Sequence, residues 1–575
     1  MKLKSCLKVY SRDLDKARTP DETVSYVKGV LKRFGRNILL ETKRIDTGRL
    51  GIPVFFSIYG DEAKKICPSK KQMGKGASPS QAEASAIMEL VERYSFFSFW
   101  ERDENFSHLT WTEAREKFKD ISLIDDKEIL KSVDDSLNIR DLHKVLDLVR
   151  WKFCKAYLVS DNKDVMVPGD WFKQLNEYNG SSAGNTFEES ILQGACELVE
   201  RHVSAIIDRE ERIVPTIDLQ SIKDPVALDL ISCFKKNNIK LWLKDFSLNI
   251  GVPTIGALAY DPSTFPKKSE IVFTAGTATS PNKAAIRALT EVAQLAGDFC
   301  TNSRYEPSGL RKFKSIDEAA WVMKGDVINI STLPDISDQD LYVELIRLSS
   351  KLKDLGFNLY SINTTHPKIN IPCNYNFVPG FLFRERSKYP SVGLFVGRRL
   401  AEEEGVDEGR QGLDVLEKIY GQAYFVPFFS GILEMRTGNL ERSMELFEAS
   451  LPLQPGKEER SMVLFYMANI LVQKSDFKKA IDLLDQAISL VKDNQVYYNL
   501  RGVCKFKLGM YEEAAKDFIS ALDLDRGSAI DLANLGMCYK MMGKKEQATQ
   551  CLKDALEIDP TIDFARNNLK EMVEN

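Results

Sequence analysis

A short phrase of acids and an arginine occurs twice in this chain. Glu89-Leu90-Val91-Glu92-Arg93 returns as Glu197-Leu198-Val199-Glu200-Arg201, and Glu291-Val292-Ala293-Gln294 keeps the three-residue spacing with an amide in the last place. Carboxylates are the ligands that a hard cation such as Mg2+ prefers, and guanidinium groups grip phosphate oxygens bidentately. Together they could hold a nucleotide and its metal. Each copy sits in an Ala-rich, Pro-free stretch that reads as helix, with Gly194 the one internal breaker. Positions three and four apart share a helix face. Ser85, Glu89, Glu92 and Arg93 therefore form one stripe, Glu189, Glu197, Glu200 and Arg201 a second, and Arg287, Glu291 and Gln294 a third.

A solvated face laced with charge accounts for any one stripe by itself. Three features together point elsewhere. The pattern recurs. Small residues surround the acids (Ala82, Ala84, Ala86; Gly194, Ala195; Ala284, Ala285, Ala288), as though something bulky approaches closely. Each helix also follows a glycine-containing loop: Gly74-Lys75-Gly76, Gly180 to Asn185, and Gly276 to Thr279. Such a loop offers free backbone N–H groups and a positive dipole end to an anion. The combination predicts a nucleotide–metal site that is not a P-loop, since no Gly-x-x-x-x-Gly-Lys-Ser/Thr string is present.

The elements around these stripes read as mixed α/β. Thr19-Pro20-Asp21-Glu22 carries an N-cap, a first-turn proline and acids, so a helix starts there. Strands are expected at 38–42, 54–59, 155–159, 165–168, 240–245, 254–260 and 358–363. The aromatic run Phe96, Phe97, Phe99, Trp100 reads as core. At 575 residues, more than one domain is present. A formal charge of −4 argues against bulk nucleic-acid binding. No apolar run is long enough to cross a bilayer. The ten cysteines show no Cys-x-x-Cys pair, which suits reduced thiols and a cytoplasmic location.

Beyond about residue 410 the texture becomes all-helical and periodic. Gly502 and Gly536, Ala514 and Ala548, and Ala521 and Ala555 are each 34 apart, and Ala480 and Ala487 precede their counterparts by the same step. The register resembles the tetratricopeptide repeat. Stacked helix pairs of this kind make a concave face. It would serve as a scaffold or homodimer contact, or grasp a peptide or a partner enzyme. The expected domains are 1–405 and 410–575.

The first of these domains resembles the YcaO superfamily of ATP-dependent amide-activating enzymes. The resemblance rests on ordered pieces: Arg18-Thr19-Pro20-x-Glu22-Thr23, Gly51-Ile52-Pro53-Val54, Gly74-Lys75-Gly76-Ala77, Ser85-x-x-x-Glu89-x-x-Glu92-Arg93, Ala183-Gly184-Asn185-Thr186, Glu197-x-x-Glu200-Arg201, Arg287-x-x-x-Glu291-x-x-Gln294 and Val378-Pro379-Gly380. It implies ATP with more than one Mg2+. Carried over by position, Glu89, Glu92, Glu189, Glu197, Glu200 and Glu291 would be metal or water-shell ligands. Arg93, Arg201 and Arg287 would meet phosphate oxygens. Ser182 and Asn185 would sit in the phosphate loop, Ser85 and Gln294 near the nucleotide, and Arg18 with Thr23 at its edge. Members that cyclise peptides often end in Pro-x-Pro-x-Pro, whereas residues 571–575 here are Glu-Met-Val-Glu-Asn. The architecture resembles the branch with C-terminal repeats, whose known example assists methylthiolation of a ribosomal protein.

The expected function is therefore ATP/Mg-dependent O-phosphorylation of a peptide or protein amide, for methylthiolation or for thioamide or azoline formation. The alternative is a non-catalytic adaptor that recruits a modification enzyme. A metal-dependent hydrolase stands third, because it would not need phosphate-facing arginines.

Overall fold

The computed structural model describes residues 2–300, 305, 309–384, 386–525 and 527–574. The chain packs as two compact units, Met1–Ile139 with Arg150–Pro390, and Arg140–Val149 with Ser391–Asn575.

The first unit is mixed α/β, with three sheets among the described residues. One is an antiparallel three-stranded sheet of β1 (Leu39–Arg44), β2 (Val54–Tyr59) and β3 (Lys71–Lys75), in the order 1-2-3. The second is built on β5 (Trp151–Leu158). β6 (Lys163–Pro168) runs along one of its edges; the other is shared by β4 (Ser107–Leu109) and β13 (Tyr360–Asn363), and β14 (Cys373–Phe377) and β7 (Ser181–Ala183) continue outward. The third has the order 11-10-9-8-12, from β8 (Thr216–Ile217), β9 (Lys240–Asp245), β10 (Thr254–Tyr260), β11 (Val272–Thr277) and β12 (Val327–Ile328), with only the β8–β12 pair parallel.

One local arrangement occurs three times, once per sheet. A strand ends, a Ser or Thr caps, and a long helix begins. β3 leads to Ser78 and the helix Pro79–Glu101; β7 leads to Thr186 and Phe187–Glu210; β11 leads to Ser280 and Pro281–Ala296. Each cap side chain accepts the N–H three residues on, from Gln81, Glu189 and Lys283. The expected glycine loops are thus largely strand ends. Gly74 and Gly276 are ladder residues, paired with Phe55 and Ile255. Ser182 in the second segment pairs with Asn374.

The same contacts revise the meaning of the small residues. A Cβ on Gly74 would stand 2.0 Å from Ala86 N, and one on Gly276 would stand 2.4 Å from Ala288 N. The bulky object pressed against the alanines is the strand backbone itself. Sealed on that side, the helices bury their apolar faces. Ile87, Leu90, Val91 and Tyr94 pack with Val27, Val30 and Leu31 of the helix Pro20–Leu31, while Leu289 and Val292 pack with Ile255 and Val272. The acids are left on the remaining face. Phe96, Phe99 and Trp100 are core; Trp100 is edge-to-face with Phe96, Phe99 and Tyr375, and Phe96 with Tyr375.

The second unit is helical. Its pairs are Phe425–Arg436 with Leu440–Ser450, Lys457–Gln473 with Phe477–Leu490, Gln495–Lys507 with Tyr511–Leu524, and Ala529–Met541 with Lys545–Ile558. Gly431, Gly502 and Gly536 let the Phe447, Phe518 and Leu552 side chains sit directly on the preceding helix. The helix Val392–Glu402 also groups with this unit, ahead of the boundary expected near 405–410. Gly393 faces Tyr420 and Phe425, and Gly397 faces Leu416 and Phe429, so it packs by the same small-to-large device. Among the described residues no helix is long and apolar enough to cross a membrane.

Candidate functional site

The acidic faces of the three capped helices line one cavity of about 340 Å³ in the first unit, a volume suited to a small ligand. From Pro79–Glu101 come Ser85, Glu89, Glu92 and Arg93. Phe187–Glu210 supplies Glu189, Glu197, Glu200 and Arg201, and Pro281–Ala296 supplies Arg287, Glu291 and Gln294. Arg18, Thr23 and Asn185 line its edge. Every residue expected at the site is therefore brought together except Ser182. That side chain is buried beneath the site, donating to Ser190 O at 2.7 Å and accepting from Asn376 Nδ2 at 3.0 Å. It braces β7 against the second acidic helix, which needs Gly194 there: a Cβ would stand 2.6 Å from Ser182 Oγ.

Residues not assigned a role from sequence complete the wall. Gln193 is one turn from Glu189 and from Glu197, so the stripe already contained it; its Oε1 accepts from Arg287 Nη1 at 2.9 Å. Lys75, Lys16 and Asp13 arrive from a strand end and from the N-terminal segment, where no local periodicity marks them.

The polar partners fall into two groups. Glu189 is held by several N–H donors: Ala17 N at 2.9 Å, Asn185 Nδ2 at 3.1 and 3.2 Å, with Lys16 Nζ at 3.5 Å. Thr23 Oγ1 donates in turn to Asn185 Oδ1 at 3.1 Å, so the expected edge residue anchors this chain of bonds. Arg18 lies over the Tyr26 ring at 4.3 Å. Glu200 accepts Thr277 N–H at 2.9 Å. The remaining acids face guanidinium or ammonium groups. Arg93 approaches Glu92 at 2.9 Å and Glu89 at 3.7 Å, Arg201 approaches Glu197 at 3.8 Å, and Lys75 pairs with Glu291.

Loss of water dominates the electrostatics. It pushes the Glu92 carboxyl up to about 8, against the nearby Arg93 and with the help of Glu197 and Glu89. It raises Glu89 and Glu200 as well. It pushes the Lys75 ammonium down to about 7, and repulsion from Arg287 adds to this against the pull of Glu200 and Glu89. Perturbations of both signs in one cleft set it apart from a solvated helix face.

The residues present fit a metal–nucleotide ligand. The acids supply hard oxygen donors, as Mg2+ requires. Arg201 Nε and Arg287 Nε are buried donors without a protein acceptor, as are groups awaiting an anion. Among the described residues, no three acids, imidazoles or thiolates are already drawn to metal-holding spacing; they converge on the cavity while engaged by cations and N–H groups.

Comparison with known proteins agrees with this geometry. Residues 73–382 match the family model described as "YcaO cyclodehydratase, ATP-ad Mg2+-binding", more than half of the chain. The chain belongs to the YcaO family, whose cofactors are ATP and Mg2+. Residues 494–561 match the tetratricopeptide repeat, so the second unit is a repeat domain appended to a YcaO fold. An uncharacterized protein of Methanothermobacter thermautotrophicus is 25% identical over 386 residues, 63% of this chain and 93% of that protein. The ribosomal protein S12 methylthiotransferase accessory factor YcaO of Escherichia coli is 28% identical over 210 residues, 33% of this chain but only 35% of that protein's length. A solved heterocyclase in complex with substrate and cofactor shares the fold, with a TM-score of 0.51 and 20% identity over 67% of this chain and 54% of that one.

Proposed function

We propose that this protein uses ATP and Mg2+ to activate an amide of a peptide or protein by phosphorylating its oxygen, so that an external nucleophile can add at the carbon. Reading it further as a methylthiolation accessory factor draws on the named Escherichia coli relative; thioamide or azoline formation would use the same activation. The observation that carries the proposal is the delivery of three acid-bearing helix faces, with Arg93, Arg201 and Arg287, into one cavity.

ATP supplies the phosphoryl group that turns a poor leaving oxygen into a good one, and Mg2+ offsets the charge that builds during transfer. The chain's own residues bind and orient. Glu89, Glu92, Glu197, Glu200 and Glu291 offer oxygen ligands, with Glu189 held in place by Asn185 and Ala17. Arg93, Arg201 and Arg287 meet phosphate oxygens, while Ser85, Gln294, Arg18 and Thr23 border the nucleotide. The arginines and Lys75 lie in a water-poor cavity, where their charge acts strongly on a phosphoryl oxygen. No protein nucleophile is needed. On this reading residues 1–405 bind ATP, and residues 410–575 recruit substrate or a partner enzyme. A non-catalytic adaptor would not need an intact cavity of this kind.

Calorimetric titration of ATP with Mg2+ should give at least about tenfold weaker binding for Glu200→Gln and Glu291→Gln than for wild type, since each removes a charged ligand. Equal affinities in all three would sink the assignment. Substrate is captured with a Glu89→Gln, Glu197→Gln double variant and then turned over by wild type in 18O-water. Phosphate released by amide activation carries the amide oxygen and no solvent label; solvent label in the phosphate would mean plain ATP hydrolysis.

A further inference from the structure

Lys75, like Lys16 at Glu189, reaches an acid of the cavity from another element, and its role depends on the nucleotide–metal reading of that same cavity. Arg93 and Arg201 pair with acids of their own helices. Lys75 instead reaches from the end of β3 to Glu291 on a different element. The chain is pinned on both sides of it. A Cβ on Gly74 would stand 2.0 Å from Ala86 N, and one on Gly76 would stand 2.7 Å from Ala82 N. Pairing with Val54 sets the register. The strand end thus lies on the first acidic helix, and the side chain lines the cavity. There it faces Glu89 and Glu200 as well as Glu291, and it is repelled by Arg201 and Arg287.

We propose that Lys75 is a tethered counter-cation: it neutralises Glu291 before the divalent metal arrives, and it must withdraw for the metal to use that carboxylate. An ammonium held on the carboxylate repels an approaching divalent cation and competes with it for the same oxygens in a cavity that screens charge poorly. The polyphosphate of an incoming nucleotide offers the displaced ammonium a new anion. Metal and nucleotide therefore enter together, and Lys75 acts as a positioning residue that suppresses binding of metal alone.

The test is titration of Mn2+ into full-length protein without nucleotide, with free metal read by electron paramagnetic resonance. Lys75→Met and Lys75→Gln should bind Mn2+ at least about tenfold more tightly than wild type, and Lys75→Arg should stay within about twofold of it. Equal or weaker binding in the neutral variants overturns the proposal. Glu291→Gln provides a check that leaves Lys75 in place. Because Glu291 is already occupied, nucleotide-free Mn2+ affinity should stay within about twofold of wild type, while binding of Mn2+ with ATP weakens about tenfold. A matching loss without nucleotide also overturns it. If wild type binds no Mn2+–ATP at all, the nucleotide–metal reading fails; if it binds Mn2+–ATP while the neutral variants leave nucleotide-free affinity unmoved, the role of Lys75 alone fails.

Discussion

The two units of this chain solve the same packing problem with opposite results for charge. Both press a large group onto a glycine or alanine of a helix. In the repeats the large group is a side chain, such as Phe518 on Gly502, and charged residues there pair between neighbouring helices. Asp517 takes Arg501 at 2.6 Å and Lys505 at 2.8 Å, and Arg410 takes Glu434 at 2.8 Å. In the YcaO fold the large group is strand backbone, which seals one face of each helix and leaves the acids on a cavity shared with two other helices. Charged groups therefore pair between neighbouring helices in one unit and line a shared cavity in the other.

The sharpest way to break this contrast is at the glycines. Gly74→Val would drive a branched side chain into the backbone of Ala86, which cannot yield. It should cost more than about 3 kcal/mol, read as lost cooperative unfolding of the first unit or as insoluble protein. Gly502→Ala meets only the Phe518 ring at 2.9 Å, which can shift, and should cost about 1–2 kcal/mol in a denaturant melt. Similar losses at the two sites would mean that backbone and side-chain contacts yield equally.

A second comparison separates frame from site. Ser182→Ala removes the bonds to Ser190 O and Asn376 Nδ2, the latter keeping Gly180 O, and should cost about 1–2 kcal/mol, with ATP affinity kept within about twofold. Asn185→Ala, which releases Glu189 and Thr23 at the rim, should weaken ATP binding by about tenfold with a smaller loss of stability. Loss of ATP affinity in Ser182→Ala would return that residue to the phosphate loop.

An effect seen only as a pH dependence is expected from Lys244, a fully buried lysine away from the cavity, which donates to Thr216 Oγ1 at 2.6 Å and to Lys324 O. Burial lowers its ammonium from 10.5 to about 8. Between these values the folded chain binds fewer protons than the unfolded chain, so folding is favoured as pH rises through that window. Wild type should gain about 1–2 kcal/mol on Lys244→Met between pH 7.5 and pH 9.5 in paired urea melts. A flat difference would show that the amine keeps its water.

Much of the molecule is legible in the chain because it is local. The cap at Thr19, the stripes of Glu89 to Arg93 and Glu197 to Arg201, and the repeat register all follow from local spacing along the chain. β7, β11 and β14 escape such a reading, since Ser181–Ala183 is three residues long and Thr274–Thr277 reads as loop through its glycine. The alanines beside the acids suggest room for a ligand, yet a neighbouring strand fills that space, and nothing in a helix's own sequence distinguishes the two. Lys16 and Lys75 reach the cavity only through tertiary pairing, and the helix Val392–Glu402 joins the repeats through ring contacts on Gly393 and Gly397 that carry no 34-residue signature.

The wide separation of the three strand–cap–helix units along the chain has a kinetic consequence. No local segment contains a usable part of the cavity, because its walls come from Glu89 to Arg93, Glu189 to Arg201 and Arg287 to Gln294. Two long loops must close before any ligand can be held, and non-local closure of this kind slows folding. A growing chain on the ribosome has no cavity until Gln294 has emerged and docked. Once formed, the site is held together by whatever bridges its walls, so a nucleotide that binds only the folded state raises the free energy of unfolding by RT ln(1 + [L]/Kd). The midpoint of thermal unfolding of the first unit is thereby tied to the ATP concentration around it.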